Sequence, residues 1–174
     1  MQGFQNADPE KMIEVMGNLV EKYDYMLIDA PAGISKDGVV PLAIADDVIL
    51  VVNPEISSLA DALKTKVLVE MIDSTVMGVV LNRVGTTTTE LSKQKVESLL
   101  DARILETVPD DTNVRNASAF RMPVVVKYPE SPASISFKRL AASLAGVEMP
   151  VETEEVEKKE GFVDRLARAL FGGI

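Results

Sequence analysis

Val48-Ile49-Leu50-Val51-Val52-Asn53-Pro54-Glu55-Ile56-Ser57-Ser58 decides the fold. Five consecutive apolar residues form a strand buried on both faces. Asn53-Pro54 ends it, because proline lacks the amide a ladder needs and restricts the residue before it. The next segment, Ser58 to Met71, is helical, with Leu59, Leu63, Val67 and Met71 along one stripe. Lys64 and Lys66 stand between the stripe residues as exposed positions, on a partner or dimer surface or on an ordinary solvated face.

The same unit recurs on either side. Val76 to Leu81 is an apolar strand ended by Asn82-Arg83, and Thr89 to Leu100 is the helix after it. Arg103 to Val108 is a shorter strand ended by Pro109-Asp110-Asp111. Asp111 or Thr112 then caps a helix to about Phe120. Val124 to Lys127 is a last short strand, and Ser134 to Ala145 a last core helix. Upstream, Asp8 and Pro9 open a helix carrying Met12, Ile13, Met16, Leu19 and Val20. The apolar run Tyr23 to Ile28 follows as a strand, ended by Asp29-Ala30-Pro31-Ala32-Gly33. Val39 to Ala45 is a short helix.

Strands apolar on both faces, alternating with helices, give an α/β fold with a doubly wound parallel sheet. Ligands of such sheets bind beyond the carboxyl ends of the strands. Those ends carry Asp29 to Gly33, Asn53 to Glu55, Asn82-Arg83 and Pro109 to Asp111. Each loop alone reads as turn chemistry. Together they mark one sheet edge and one candidate site.

Composition narrows the chemistry. The 174 residues are 47% hydrophobic and 26% charged, which are globular values. With 18 Lys and Arg against 27 Asp and Glu the net charge is −9, unsuited to general nucleic-acid binding. There is no cysteine and no histidine, which excludes disulfides, thiolate and His–metal sites and Cys or Ser–His nucleophiles. The first residues lack the basic and apolar regions of a signal peptide, and no apolar run approaches the roughly 18 residues of a spanning helix. The expectation is a soluble, cytoplasmic protein.

Asp29 directly follows Met26-Leu27-Ile28. A carboxylate at the end of a buried strand is used in nucleotide-binding folds to help hold Mg²⁺. Gly33 lets backbone approach a phosphate or turn sharply. The stretch Tyr23 to Gly33 resembles the Walker B strand and switch II of the MinD/ParA family of deviant Walker ATPases, its archaeal MinD-like members above all. Asn53-Pro54-Glu55-Ile56-Ser57-Ser58 is similar to the family's Asn-Pro-Glu-x-Ser-Ser stretch. Gly78 to Arg83 and Val108 to Asp111 resemble the strand ends that hold adenine. The likeness covers about residues 8 to 146 and again the C-terminal tail.

The resemblance implies the P-loop NTPase fold, with ATP and Mg²⁺ as ligands. It implies that Asp29 contributes to Mg²⁺ binding through water and that Pro31 and Gly33 lie in the γ-phosphate switch. Asn82 would hydrogen-bond adenine with Arg83 flanking it, and Pro109, Asp110 and Asp111 would close the other side of the base. The chain departs from the family in having no Gly-x-x-x-x-Gly-Lys-Ser/Thr loop. The expectation is a sheet without its phosphate-loop strand, read as a fragment, a late start codon or a degenerate paralogue. The Tyr23 to Ile28 strand would then carry an unpaired apolar edge.

The domain reads as residues 1–146, followed by an acidic linker, 147–160, and a helix, 161–174. The run Glu152 to Glu157 is expected to be solvated and disordered. In the tail, Phe162, Val163, Leu166, Leu170 and Phe171 fall on one face with Ala167 and Ile174. Lys158, Lys159, Arg165 and Arg168 against Glu160 and Asp164 leave a local charge of +2. That is the composition of an interfacial helix on anionic lipid. A helix docked on its own core is the alternative. The tail also resembles the family's membrane-targeting sequence, with an extra turn at Ala167-Arg168-Ala169.

The reading is therefore a MinD-like, ATP-binding protein of cell-division site placement. It is peripheral on the inner face of the cell membrane, a homodimer in the intact family, and served by an unknown protein regulator. These residues alone would not be catalytically competent. The alternatives are part of a ParA-like partition ATPase, which the acidic charge disfavours, and a non-catalytic membrane-bound interaction module. No nucleic-acid partner is expected.

Overall fold

A computed structural model describes residues 9–31 and 36–149. The chain runs α1 (Pro9–Leu19), α2 (Lys36–Ile44), β1 (Asp47–Val52), α3 (Ile56–Met71), β2 (Thr75–Val84), α4 (Lys93–Leu100), β3 (Ile104–Pro109), α5 (Thr112–Ala119), α6 (Val124–Lys127) and α7 (Pro132–Ala145). The three strands form one parallel sheet in the order β1-β2-β3. The α/β class and the parallel sheet are as the alternation of apolar strands and helices requires.

One face of the sheet is covered, and the other is covered at β2 and β3 but not along β1, where Val51 is 65% exposed. The Val48 to Val52 strand, expected to be buried on both faces, is therefore buried on one. On the covered face, Val48, Leu50, Val52, Val79 and Leu81 pack with Leu59, Ala62 and Val69 of α3 and with Val96 and Leu100 of α4. On the other, Val80 and Val108 pack with Ala133, Phe137 and Leu140 of α7 and Val114 of α5. Alternate residues of each strand serve opposite faces, so continuous apolar runs are needed to fill both. Each fully buried Val or Leu contributes about 1.5–3 kcal/mol.

Gly78 sits where β2 runs closest to the entry of β3. A Cβ there would meet Leu105 Cγ at 2.7 Å and the Arg103 carbonyl oxygen at 2.8 Å. The β1–β2 register shifts beside it, between Val48 and Ile49.

Three expectations are corrected. Tyr23 to Ile28 forms no strand: a strand exists only where a neighbour completes its hydrogen bonds, and no described residue does so. Leu27 is 91% exposed. Tyr25 instead donates its hydroxyl to the Ala145 carbonyl at the end of α7, 3.4 Å away. Val124 to Lys127 is also no strand but the single turn α6. Pro123 opens it at φ −60°, its carbonyl accepts from Val126 and Lys127, and buried Val124 anchors the turn. Three consecutive valines favour strand, but packing against α7 overrides that preference. The third concerns α3. Its buried face is Leu59, Ala62 and Val69, whereas Leu63, Val67 and Met71 face solvent. Lys66 is half-buried, donating to the Asp101 carbonyl at 3.2 Å and pairing with Glu70 at 3.3 Å.

The helix expected from Thr89 begins at Lys93, with Ser92 as its cap. Helix α7 ends at Gly146, whose φ of 65° is a left-handed cap. Residues 150–174, and with them most of the expected linker and the whole amphipathic helix, lie outside the described residues, as does Gly33.

Candidate functional site

The carboxyl ends of all three strands are tied together by short polar contacts. After β1, Asn53 donates its amide to Ser58 Oγ at 3.0 Å, fixing the Asn53–Ser58 turn at the start of α3. Pro54 is buried, and its carbonyl accepts from the Leu91 amide at 3.0 Å. That contact joins the loop after β1 to the loop after β2.

The end of β2 is shaped by Arg83, whose φ of 57° is left-handed and falls in the register shift between Leu81 and Val84, after which Val84 still pairs with Pro109. Thr86 Oγ1 donates to the Arg83 carbonyl at 2.8 Å. Arg83 Nε lies 3.2 Å from Asp110 Oδ1, and the Asp110 amide donates to the Val84 carbonyl at 2.9 Å. The β2 and β3 ends are thus locked side by side. Asn82, one residue earlier, is partly exposed, and its side-chain amide makes no hydrogen bond to a described residue.

Asp111 is the N-cap of α5, and both its oxygens are used. Oδ1 accepts from the Asn113 amide at 2.8 Å and Oδ2 from the Ala133 amide at 3.2 Å. One carboxylate therefore ties the start of α5 to the start of α7. Burial pushes this carboxyl up, but the amides of Asn113 and Ala133 and the side chains of Ser131 and Asn113 outweigh it. The net result is a value below its ordinary 3.8.

A residue the sequence reading passed over closes the site. Glu90 folds back on the loop after β2 and accepts from the amides of Gly85, Thr86 and Thr87, at 2.9, 2.6 and 2.9 Å. The Gly85 amide above all, then that of Thr87, holds its carboxyl below its ordinary 4.5. The signal was legible as Thr87-x-x-Glu90, the spacing of a capping box.

Of the four loops expected on one edge, three are brought together, with Asn53, Asn82, Arg83, Pro109, Asp110 and Asp111. Among the described residues no hydrogen bond or ion pair links the fourth, Asp29 to Pro31, to them. Asp29 and Pro31 lie in an exposed, extended segment, with Asp29 at the rim of an apolar hollow of about 510 Å³ lined by Met12, Met16, Leu19 and Ile28. Among the described residues no group of three carboxylates could hold a metal ion.

The donor set therefore fits one half of a nucleotide. A free Asn amide offers the donor and acceptor that pair with an adenine edge, and it is next in sequence to the Arg83–Asp110 pair. The described residues do not fit the phosphates and Mg²⁺, since Asp29 is a single carboxylate beside an apolar hollow.

Comparison with known proteins agrees with this fold. A ParA family profile, described as NUBPL iron-transfer P-loop NTPase, matches residues 10–145. An uncharacterized ATP-binding protein of Methanocaldococcus jannaschii is 38% identical over 172 residues, covering 99% of this chain and 64% of its own length. The cell division ATPase MinD of Pyrococcus furiosus superposes with a TM-score of 0.75 at 32% identity, over 80% of this chain and 59% of its own. The septum site-determining protein MinD of Pyrococcus horikoshii, solved with Mg-ADP, gives 0.74 at 33% identity, over 79% and 57%. The chain thus spans less than two thirds of the length of each of these relatives.

Proposed function

The chain belongs to the ParA/MinD family of P-loop NTPases, and from that premise we propose that it is the base-reading and membrane-tethering part of a MinD-like ATPase that places the cell-division site. The observation that carries the reading is the free Asn82 amide beside the Arg83–Asp110 pair at the sheet edge where nucleotides bind in such folds. Relatives described as ATP-binding, and as septum site-determining with Mg-ADP bound, support ATP and Mg²⁺ as its ligands. Pro109, Asp110 and Asp111 close the base pocket. By the family resemblance Pro31 and Gly33 would lie in the switch, and Asp29 would approach Mg²⁺ through water only where other residues hold the ion and the phosphates.

No Gly-x-x-x-x-Gly-Lys-Ser/Thr occurs within the 174 residues, so the amide cradle and the phosphate-binding lysine must come from elsewhere. These residues alone therefore neither bind ATP tightly nor hydrolyse it. Calorimetric titration of the 174-residue chain with ATP tests this, and a micromolar Kd would overturn it. In a protein that supplies the phosphate loop, Asn82→Ala lowers the preference for ATP over GTP by roughly tenfold or more, from about 1–3 kcal/mol for a bidentate base contact. An unchanged preference removes Asn82 from the base pocket.

The tail face of Phe162, Val163, Leu166, Leu170 and Phe171, with Lys158, Lys159, Arg165 and Arg168, supports peripheral attachment to anionic lipid. Two linked tails in a homodimer would bind more tightly than one. The tail fused to a fluorescent protein, in tandem if one copy is too weak, sediments with anionic vesicles more than with neutral ones. Leu166→Glu abolishes this, and equal sedimentation counts against the reading. The exposed α3 stripe of Ile56, Leu63, Val67 and Met71 is the surface we assign to a protein regulator. These 174 residues contain no cysteine to hold an iron–sulfur cluster.

A further inference from the structure

We infer that the corner formed by α5 and α6 is a second membrane contact, which seats the body of the domain on the same anionic bilayer as the tail. The inference deepens the peripheral-membrane reading and takes the identity of the surface from it.

Charge is segregated along this chain. Residues 112–145 carry five basic residues (Arg115, Arg121, Lys127, Lys138 and Arg139) against one acidic residue, Glu130, a local charge of +4 in a chain of −9. The one acid is already paired, since Glu130 lies 3.8 Å from Lys138 Nζ. Arg115, Arg121 and Lys127 make no ion pair with any described residue.

Apolar groups stand among these charges in solvent. Phe120 is 63% exposed, Val126 61% and Met122 40%. Lys127 Nζ sits 3.7 Å from the centre of the Phe120 ring, so cation and aromatic form one unit at the surface. Arg121 holds φ 54°, which turns the chain sharply between Phe120 and Met122 and brings both to the tip of the corner.

This exposure is separate from that of Leu27. Both helices follow β3, which lies at the opposite edge of the sheet from β1. Basic residues around an apolar tip match an anionic bilayer: the cations meet headgroups while Phe, Met and Val enter the acyl boundary. A nucleic-acid backbone would meet the cations but leave the apolar tip uncovered.

The test uses the full chain with Phe120→Trp, the only tryptophan it would then contain. With vesicles of mixed phosphatidylglycerol and phosphatidylcholine, Trp emission shifts to the blue and is quenched by brominated acyl chains. Arg115→Glu with Arg121→Glu lowers vesicle partition by about twenty-five-fold or more, from roughly fivefold for each basic residue lost. A second arm separates this surface from the tail. The Phe120→Trp chain with Leu166→Glu and an added C-terminal hexahistidine tag is held on nickel-chelating lipid. Its emission still shifts on anionic vesicles and not on neutral ones, whether or not the tail binds alone. Unshifted emission in the tethered arm overturns the inference even where the tail binds, as does unchanged partition of the double variant. Salt-sensitive retention of duplex DNA without a vesicle response overturns it in favour of a nucleic-acid surface.

Discussion

Arg83 Nε and Asp110 Oδ1, 3.2 Å apart, join the carboxyl ends of β2 and β3 across 27 residues of sequence. The pair would wall one side of the proposed base pocket, yet it is partly exposed, and such pairs contribute about 0–1 kcal/mol. Its neighbour Asp111 does more for the fold, because both its oxygens accept backbone amides, one at α5 and one at α7. Asp110→Ala is expected to lower stability by less than about 1 kcal/mol, and Asp111→Ala by about 1–2 kcal/mol. Urea midpoints at constant m check the order. A larger loss for Asp110→Ala would mean that the ion pair, and not the double cap, holds this edge.

The same carboxylate sets a pH dependence. Its folded value lies below its ordinary 3.8, so the folded state favours the charged form. Its stabilisation is fully present above the ordinary value and is lost as pH falls through the depressed one. Glu90, held below its ordinary 4.5 by the loop amides, acts in the same direction from a slightly higher pH. Asp111→Asn is expected to flatten the fall in stability below about pH 4, measured as urea midpoint against pH. A slope equal to wild type would remove Asp111 as a source of acid sensitivity.

Two glycines respond oppositely to alanine. At Gly78 the added Cβ collides with a backbone oxygen and Leu105, and the strand must shift. The expected loss is about 1–3 kcal/mol. At Gly17, within α1, nothing lies within 4 Å of the added Cβ. Gly17→Ala there gains up to about 1 kcal/mol of helix stability where α1 unfolds with the rest. Thermal melts of the two variants should move in opposite directions.

Hydrogen exchange separates the unpaired segment from the sheet. Amides of Tyr25 to Ile28, which lack a ladder, exchange within the dead time, whereas those of Val79 to Leu81 are protected. Correspondingly, Leu27→Ser changes stability by less than about 0.5 kcal/mol and Leu81→Ala costs about 2–5 kcal/mol. Protection at Leu27 comparable to that at Val80 would show that a further strand pairs there.

The α/β class and the three strands of the sheet were legible from spacing, whereas two further runs of strand composition are not strands. An unbroken apolar run such as Val79 to Leu81 is satisfied between two layers of helices, Val79 and Leu81 on one face and Val80 on the other. The candidate edge was legible for the same reason, since a parallel sheet sends every strand's carboxyl end to one side. The Asp111 cap was likewise local chemistry. Glu90 was legible in principle, because the Thr87-x-x-Glu90 spacing lets a carboxylate reach back to free amides.

What tertiary structure decided concerns groups with more than one local solution. Helix α3 carries two apolar faces, and periodicity cannot say which meets the sheet. Leu59, Ala62 and Val69 are buried because the β1–β2 surface accepts them, and Leu63, Val67 and Met71 are left outside. The runs Tyr23–Ile28 and Val124–Lys127 both have strand composition, but a strand is a relation between two chains of hydrogen bonds and not a property of one. The first finds no neighbour among the described residues, and the second curls into a turn under Pro123 to bury Val124 against α7. Sequence by itself thus determined which segments are apolar, where they stop and on which edge their ends gather. Only the packed structure decided which apolar surfaces are satisfied, because burial and ladder pairing depend on partners distant in the chain.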